Sequence, residues 1–157
     1  MERLFRDRMK YLTHTKDEGC FLCTAAGSKS SAEHLVLARA SHCFAILNKY
    51  PYNTGHLMVA PFEHLADLDE VDEHVVGEMM QLVRRCIAAL RETMKPQGFN
   101  FGANLGAAAG AGVPGHLHLH VVPRWGGDTN FMPVVAGSKI LPETLDQTYE
   151  RLRTQFD

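Results

Sequence analysis

Eight apolar residues recur at helical spacing between positions 71 and 94: Val71, Val75, Met79, Leu82, Val83, Cys86, Leu90 and Met94. Steps of three and four residues keep one face of a helix apolar. The pattern therefore predicts an amphipathic helix that starts near Asp69 or Asp72 and stops before Pro96-Gln97-Gly98. The Met79-Met80 pair inside it reads as core packing. Short apolar runs bounded by turn residues predict strands at Leu35–Ala38 and Cys43–Leu47, on either side of Ala40-Ser41, and at Leu57–Ala60, between Asn53-Thr54-Gly55 and Pro61. Two more follow the helix, at Phe99–Ala103 and His116–Val122. Residues 1–12 read as a short helix, and 142–155 as a terminal helix starting at Pro142. Strands, one helix and further strands predict an α+β architecture: an antiparallel sheet meander with one long helix packed on it and a C-terminal helix. No repeat or linker divides the chain, so residues 1–157 are expected to form one domain.

The fifth run changes the picture from fold to chemistry. His116-Leu117-His118-Leu119-His120 alternates strictly, the signature of a half-buried strand whose successive side chains point to opposite faces. The three histidines are then expected on one face, about 6.6–6.8 Å of rise apart. That spacing is too long for all three to hold one small ion, but it suits an extended anion such as a polyphosphate. The preceding loop, residues 102–115, contains five glycines and five alanines among fourteen residues and no charge. So much glycine weakens regular structure but lets backbone N–H groups converge on an anion.

Composition narrows the alternatives. The 157 residues are 45% hydrophobic, which excludes disorder on compositional grounds, and no apolar run approaches the length of a membrane span. The net charge is −2, so no global field recruits nucleic acid, and anion binding must be local. The first sixteen residues lack the apolar core of a signal peptide, and four cysteines in that setting imply a reducing, cytoplasmic compartment. Cys43 and Cys86 lie in apolar patterns and read as core. Cys20 and Cys23 form a Cys-x-x-Cys pair that could hold one zinc ion with two further ligands. A redox pair is the rival reading, but such a motif is expected to open a long helix, and here a polar Gly-Ser-Lys-Ser-Ser turn follows. His14, His34, His42 and His74 fit no motif and read as surface residues.

The run Asn104-Leu105-Gly106 through Gly115-His116-Leu117-His118-Leu119-His120-Val121-Val122 resembles the active-site segment of the histidine triad (HIT) family of nucleotide hydrolases and transferases. A second segment, Asn48 and Pro51 through Gly55-His56-Leu57-Met58-Val59-Ala60-Pro61-Phe62-Glu63-His64, is similar to another stretch of the same family. The resemblance covers about residues 18–125 and leaves 126–157 as a C-terminal extension. It implies the HIT-like α+β fold, homodimers paired through the helix and fourth strand, and a nucleotide as small-molecule substrate, with neither membrane nor nucleic acid as partner. His118 would be the nucleophile that forms a nucleotidyl-imidazole intermediate. His120 would bond phosphate oxygens, and His56 would support the triad of His116, His118 and His120. Asn104 and the backbone around Gly110, Gly112 and Val113 would hold the phosphoryl group, with Asn48 near the ribose. The zinc-binding branch completes its site with two histidines, here His64 and His116 beside Cys20 and Cys23; zinc there would be structural.

This chain also departs from the family. Relatives often carry Ser, Thr or Gln three or four residues before the first triad histidine, where this chain has Gly112 and Val113. The run Pro123-Arg124-Trp125-Gly126-Gly127-Asp128-Thr129-Asn130-Phe131 resembles the extension of relatives acting as diadenosine polyphosphate phosphorylases or hydrolases, in which Arg124 would meet the distal phosphates or the second nucleoside; an ordinary surface arginine at a strand end is the rival reading. Leu117 stands where sugar-transferring relatives carry proline, which argues against nucleotidyl transfer to a sugar phosphate. A nucleotide-binding sensor with little turnover remains the other alternative. Dinucleoside polyphosphates, nucleoside phosphoramidates and nucleotidyl sugars are all open as substrates.

Overall fold

The computed structural model describes residues 19–29, 31–131, 133, 135, 137 and 139–157, so the helix expected over 1–12 lies outside the described residues. In chain order the elements are α1 (Phe21–Gly27), β1 (Val36–Arg39), β2 (Cys43–Leu47), β3 (Leu57–Pro61), α2 (Glu73–Met94), β4 (Gly98–Gly102), β5 (Leu119–Arg124) and α3 (Leu145–Arg153). The five strands form one sheet in the order β1-β2-β3-β5-β4, antiparallel throughout, so β5 enters between β3 and the edge strand β4.

Strands β2 and β3 are apolar at every position because both faces are covered. On one face Cys43, Ala45, Leu47, Leu57, Val59, Leu119 and Val121 pack against Met79, Leu82, Val83, Cys86 and Leu90 of α2 and Leu152 of α3. On the other, Phe44, Ile46, Met58 and Ala60 pack under Leu22 and Ala25 of α1. Each large apolar side chain so buried contributes roughly 1.5–3 kcal/mol. His120 pairs directly with Met58 and so belongs to the second face.

Most departures from expectation have local causes. Helix α1 was not expected; its seven residues are too short for a periodic signal, and only the i, i+3 pair Leu22 and Ala25 betrays it. β1 starts at Val36 because Leu35 has φ +59°, outside any strand conformation. Helix α2 starts after Asp72, preceded by a short 3-10 turn over Leu68–Glu70, and ends where Lys95 turns left-handed. Met79 is fully buried, but Met80 is 40% exposed, so only one of the pair is core. Helix α3 starts at Leu145, not Pro142, because the Thr144 side chain accepts a hydrogen bond from Gln147 N and sets the cap.

The histidine segment differs most. β5 starts at Leu119, so His116, Leu117 and His118 precede the strand. Leu117 N donates to Leu65 O (2.6 Å), not to the sheet. The three histidines are buried, 1%, 6% and 8% exposed, and so do not form a solvent-facing row.

Candidate active site

The segment joining β2 to β3 closes on itself. Asn48 N donates to His56 O (2.9 Å) and His56 N to Asn53 O (3.1 Å). Asn48 Oδ1 accepts from Tyr50 N at 2.8 Å, a local turn bond typical of asparagine. Gly55 makes the return possible: its φ is +81°, and a Cβ there would lie 2.7 Å from Met94 Sδ. The turn brings Tyr52 back over the histidines, its ring 4.5 Å from that of His56 and 5.6 Å from that of His120.

One backbone hydrogen then orders the neutral imidazoles. Tyr52 N–H donates to His56 Nδ1 at 3.0 Å. A backbone N–H can only donate, so His56 Nδ1 is the acceptor and its ring hydrogen sits on Nε2. His56 Nε2 lies 2.8 Å from His120 Nδ1, which must accept, and the His120 hydrogen is placed on Nε2. His118 is set independently. Its Nδ1–H donates to the His116 carbonyl at 2.8 Å, which leaves the lone pair on Nε2. Burial pushes the His118 pKa below its ordinary value, opposed by that hydrogen bond, so the ring is neutral near pH 7. The His118 and His120 rings meet edge to face with centroids 4.8 Å apart. A lone-pair nitrogen beside an N–H donor is a pairing that can attack an electrophile and stabilise the charge that develops.

His116 does not join this group. Its Nε2–H donates to Pro61 O (2.9 Å), and its Nδ1 lies 3.3 Å from Cys20 Sγ and 3.5 Å from Cys23 Sγ. Cys23 Sγ is 3.2 Å from His64 Nδ1. All four ligand atoms lie within 4.8 Å of one another. Zinc bonds of about 2.3 Å to sulfur and 2.0–2.1 Å to nitrogen, set tetrahedrally, give sulfur–nitrogen edges of about 3.5 Å. The observed edges match that figure, so the four residues fit one metal ion. The Cys23 thiol is pushed up by burial and by Cys20 beside it, a penalty that a bound cation removes. Gly115 leaves room for His64, since a Cβ there would be 3.1 Å from its Nε2. The two ring nitrogens of His116 thus face the cysteine cluster and Pro61, and its carbonyl accepts from His118 Nδ1.

The glycine-rich loop leads into these groups. A 3-10 turn over Ala107–Ala109 is flanked by Gly106 (φ +77°) and Gly110 (φ +83°), and Val113 O accepts from His116 N. Asn104, Gly112 and Val113 are half-buried in this loop, and Gly110 is exposed.

Arg124 is paired within the chain. Its Nε and Nη2 bond both oxygens of Asp128 at 2.6 and 2.8 Å, and its Nη1 bonds Asn100 Oδ1. A guanidinium forked onto a carboxylate makes strong charge-assisted hydrogen bonds, so the partners of Arg124 within the chain are Asp128 and Asn100. Tyr52 and Asn53 were missed because what matters is a main-chain N–H and a turn amide. Neither announces itself as a motif.

The HIT domain family matches residues 29–127. A protein named AP-4-A phosphorylase from Mycobacterium tuberculosis is 43% identical over 127 residues, 81% of this chain and 65% of that protein; this chain thus spans just under two thirds of that relative's length. An adenylylsulfatase from Arabidopsis thaliana is 31% identical, covering 73% of this chain and 57% of that protein. Among solved structures, a zinc-bound histidine triad family protein from Mycobacterium smegmatis superposes with a TM-score of 0.70 at 27% identity, over 87% of this chain and 92% of its own. A hypothetical histidine triad nucleotide-binding protein from Sulfolobus tokodaii gives 0.71 at 27% identity, over 87% and 91%. With His120 against His56, His118 against His120 and His116 in the cysteine cluster, this chain belongs to the HIT domain family.

Proposed function

We propose that the chain is a nucleotidyl hydrolase or phosphorylase that cleaves a dinucleoside polyphosphate at its α-phosphate through a covalent intermediate on His118. The observation that carries this reading is the His118 Nδ1–H bond to the His116 carbonyl, which presents Nε2 as a neutral lone pair. Nε2 attacks the α-phosphorus, the P–O bond to the distal polyphosphate breaks, and with diadenosine tetraphosphate ATP leaves. The Nε2–H of His120 bonds a phosphoryl oxygen as negative charge grows. Asn104 and the main chain around Gly110, Gly112 and Val113 hold the same group. In the second step an oxygen of inorganic phosphate attacks the adenylyl phosphorus, the P–N bond breaks, and ADP leaves with the lone pair restored to His118. Water in place of phosphate gives AMP. The name of the Mycobacterium tuberculosis relative favours phosphate.

Cys20, Cys23, His64 and His116 would hold zinc, which supplies charge neutralisation for the two thiolates and ties the N-terminal segment to the residue whose carbonyl orients His118. The edge strand β4, with Phe101 48% exposed, supports the homodimer expected of the family. Among the described residues no helix is long and apolar enough to cross a membrane, and cytoplasmic residence rests on the free cysteines. The test is product analysis with diadenosine tetraphosphate. ADP and ATP in the presence of phosphate, AMP and ATP without it, and an acid-labile adenylyl-protein absent from His118→Ala are expected. Turnover retained by His118→Ala would end the covalent reading.

A further inference from the structure

The segment that follows the histidine strand reaches back to the turn that carries Tyr52. Asp128 Oδ2 accepts from Asn53 Nδ2 at 2.8 Å, from Arg124 Nε at 2.6 Å and from Trp125 N at 3.1 Å; Oδ1 accepts from Arg124 Nη2 at 2.8 Å and Thr129 Oγ1 at 3.2 Å. The Asp128 side chain is only 9% exposed. Asn53 Nδ2 also donates to Pro123 O at 3.0 Å. On the other side of Tyr52, Lys139 Nζ donates to the Tyr52 carbonyl at 2.7 Å. Residues 52 and 53 are therefore held by two groups, a largely buried carboxylate and a half-buried ammonium. The Arg124 guanidinium holds the Asp128 carboxyl well below the usual carboxylate range, and burial pushes the Lys139 ammonium below its ordinary value. The first shift reports the ion pair, which outweighs the opposing effect of burial on a carboxylate, and the second reports an ammonium partly withdrawn from water.

What is being held is a single hydrogen. The Tyr52 N–H sets the tautomer of His56, and His56 sets that of His120. If the 52–53 main chain relaxes, His56 Nδ1 loses its donor and the imidazole can take its hydrogen on either nitrogen. His120 can then present an acceptor where a donor is needed. No contact between the clamp and the reacting atoms is required.

We propose that Asp128 and Lys139 are positioning residues that pin the 52–53 turn so that the Tyr52 N–H keeps His56 and His120 in one tautomeric order. Lys139 lies beyond residues 29–127, the part of the chain that the family matches, so this device belongs to the extension. The kinetic arm of the test rests on the proposed turnover of dinucleoside polyphosphates; the spectroscopic arm does not.

The experiment compares full-length wild type, Lys139→Met, Lys139→Arg and Asp128→Asn. Long-range proton–nitrogen correlation spectra of nitrogen-15-labelled histidine report which ring nitrogen carries hydrogen in His56 and His120, and thermal melts report folding. Wild type is expected to show a single tautomer with the hydrogen on Nε2 at both residues. Lys139→Met, which keeps the apolar stem, should show mixed tautomers at His56. With diadenosine tetraphosphate it should lose about tenfold in kcat while KM stays within about twofold. Lys139→Arg should restore both readouts, and Asp128→Asn should reproduce the mixing from the other side of the turn should either lysine variant melt early. Unchanged tautomers in Lys139→Met and Asp128→Asn overturn the inference, as does a mixture already present in wild type. A fall in kcat without tautomer change overturns it too, since the residues would then act by another route. A wild type that turns over no dinucleoside polyphosphate sinks the proposed function and leaves the spectra to decide the clamp.

Discussion

Gly55→Ala tests whether the turn geometry controls the site. The substitution adds one methyl group and nothing else. Its first cost is conformational: Gly55 has φ +81°, and an L-residue in the left-handed region costs roughly 1–2 kcal/mol. Its second cost is steric, because the Cβ would lie 2.7 Å from Met94 Sδ, 3.0 Å from Leu90 Cδ2 and 3.2 Å from Pro123 Cγ. Leu90 is fully buried, and overpacking a filled core costs roughly 1–3 kcal/mol. Met94 can swing its thioether aside, but Leu90 and the Pro123 ring have less freedom. The sum is about 2–5 kcal/mol. With a urea slope of about 2 kcal/mol per molar, the unfolding midpoint should fall by roughly 1–2.5 M at unchanged slope. Activity measured well below the new midpoint should fall as well, because His56 follows Gly55 directly and its position sets that of His120. Gly115→Ala is the internal control: its φ is not in the left-handed region, and its Cβ would meet only the His64 ring, 3.1 Å from Nε2. It should weaken metal retention while changing the metal-free midpoint by less than about 0.5 M. A Gly55→Ala protein within about 1 kcal/mol of wild type would refute the strain and packing argument together.

The remaining expectations concern the two clusters and the core. His118→Ala should lower kcat by roughly 10³-fold or more while nucleotide binding, measured calorimetrically, stays within about threefold. Purified protein should carry about one zinc per chain by metal analysis, and Cys20→Ser should lose both metal and melting temperature. Leu90→Ala, at a fully buried position, should cost about 2–5 kcal/mol in chemical denaturation. The Asp128 carboxyl has a folded pKa below its unfolded value because Arg124 stabilises the anion, so its contribution is complete above the unfolded pKa and fades as pH falls through the folded one. The stability gap between wild type and Asp128→Asn should therefore be constant from pH 7 to about 5 and shrink below about pH 4; a gap that widens with acid would contradict the ion pair.

The fold was legible where a physical period runs long enough to be counted. Residues 71–94 carry six turns of one apolar stripe, and the helix lies where that stripe does. β2 and β3 showed as unbroken apolar runs because both of their faces are buried. The reading failed where one residue overrides the pattern. Leu35, apolar like its neighbours, takes φ +59° and delays β1. The histidine run has the period of a strand, yet its first three residues leave the sheet: Leu117 bonds the backbone of Leu65, and His116 is drawn to the cysteines. Alternation reports which side chains lie on opposite sides of an extended chain. It does not report which ladder that chain joins or whether a cover lies above it.

The site divides in the same way. Residue types that carry their chemistry in the side chain could be picked out in advance, and four of them, Cys20, Cys23, His64 and His116, meet within 4.8 Å. What could not be read was the assignment of hydrogens. Three neutral imidazoles have eight tautomeric combinations, and the residue types alone do not choose among them. The choice is made by groups that have no identity as residues: the N–H of Tyr52 and the carbonyl of His116. Each is delivered by a neighbouring structure that sequence patterns place without explaining, the first by the Gly55 turn and the second by the cluster of Cys20, Cys23, His64 and His116. Arg124 shows what the sequence leaves out about charge. A cation next to the histidine run invites assignment to a phosphate, and Asp128 four residues later pairs with it bidentately while also accepting from Asn53. Charge read one residue at a time overstates what is available to a ligand. The partners decide it, and here one carboxylate, Asp128, joins the Arg124 guanidinium to the Asn53 amide.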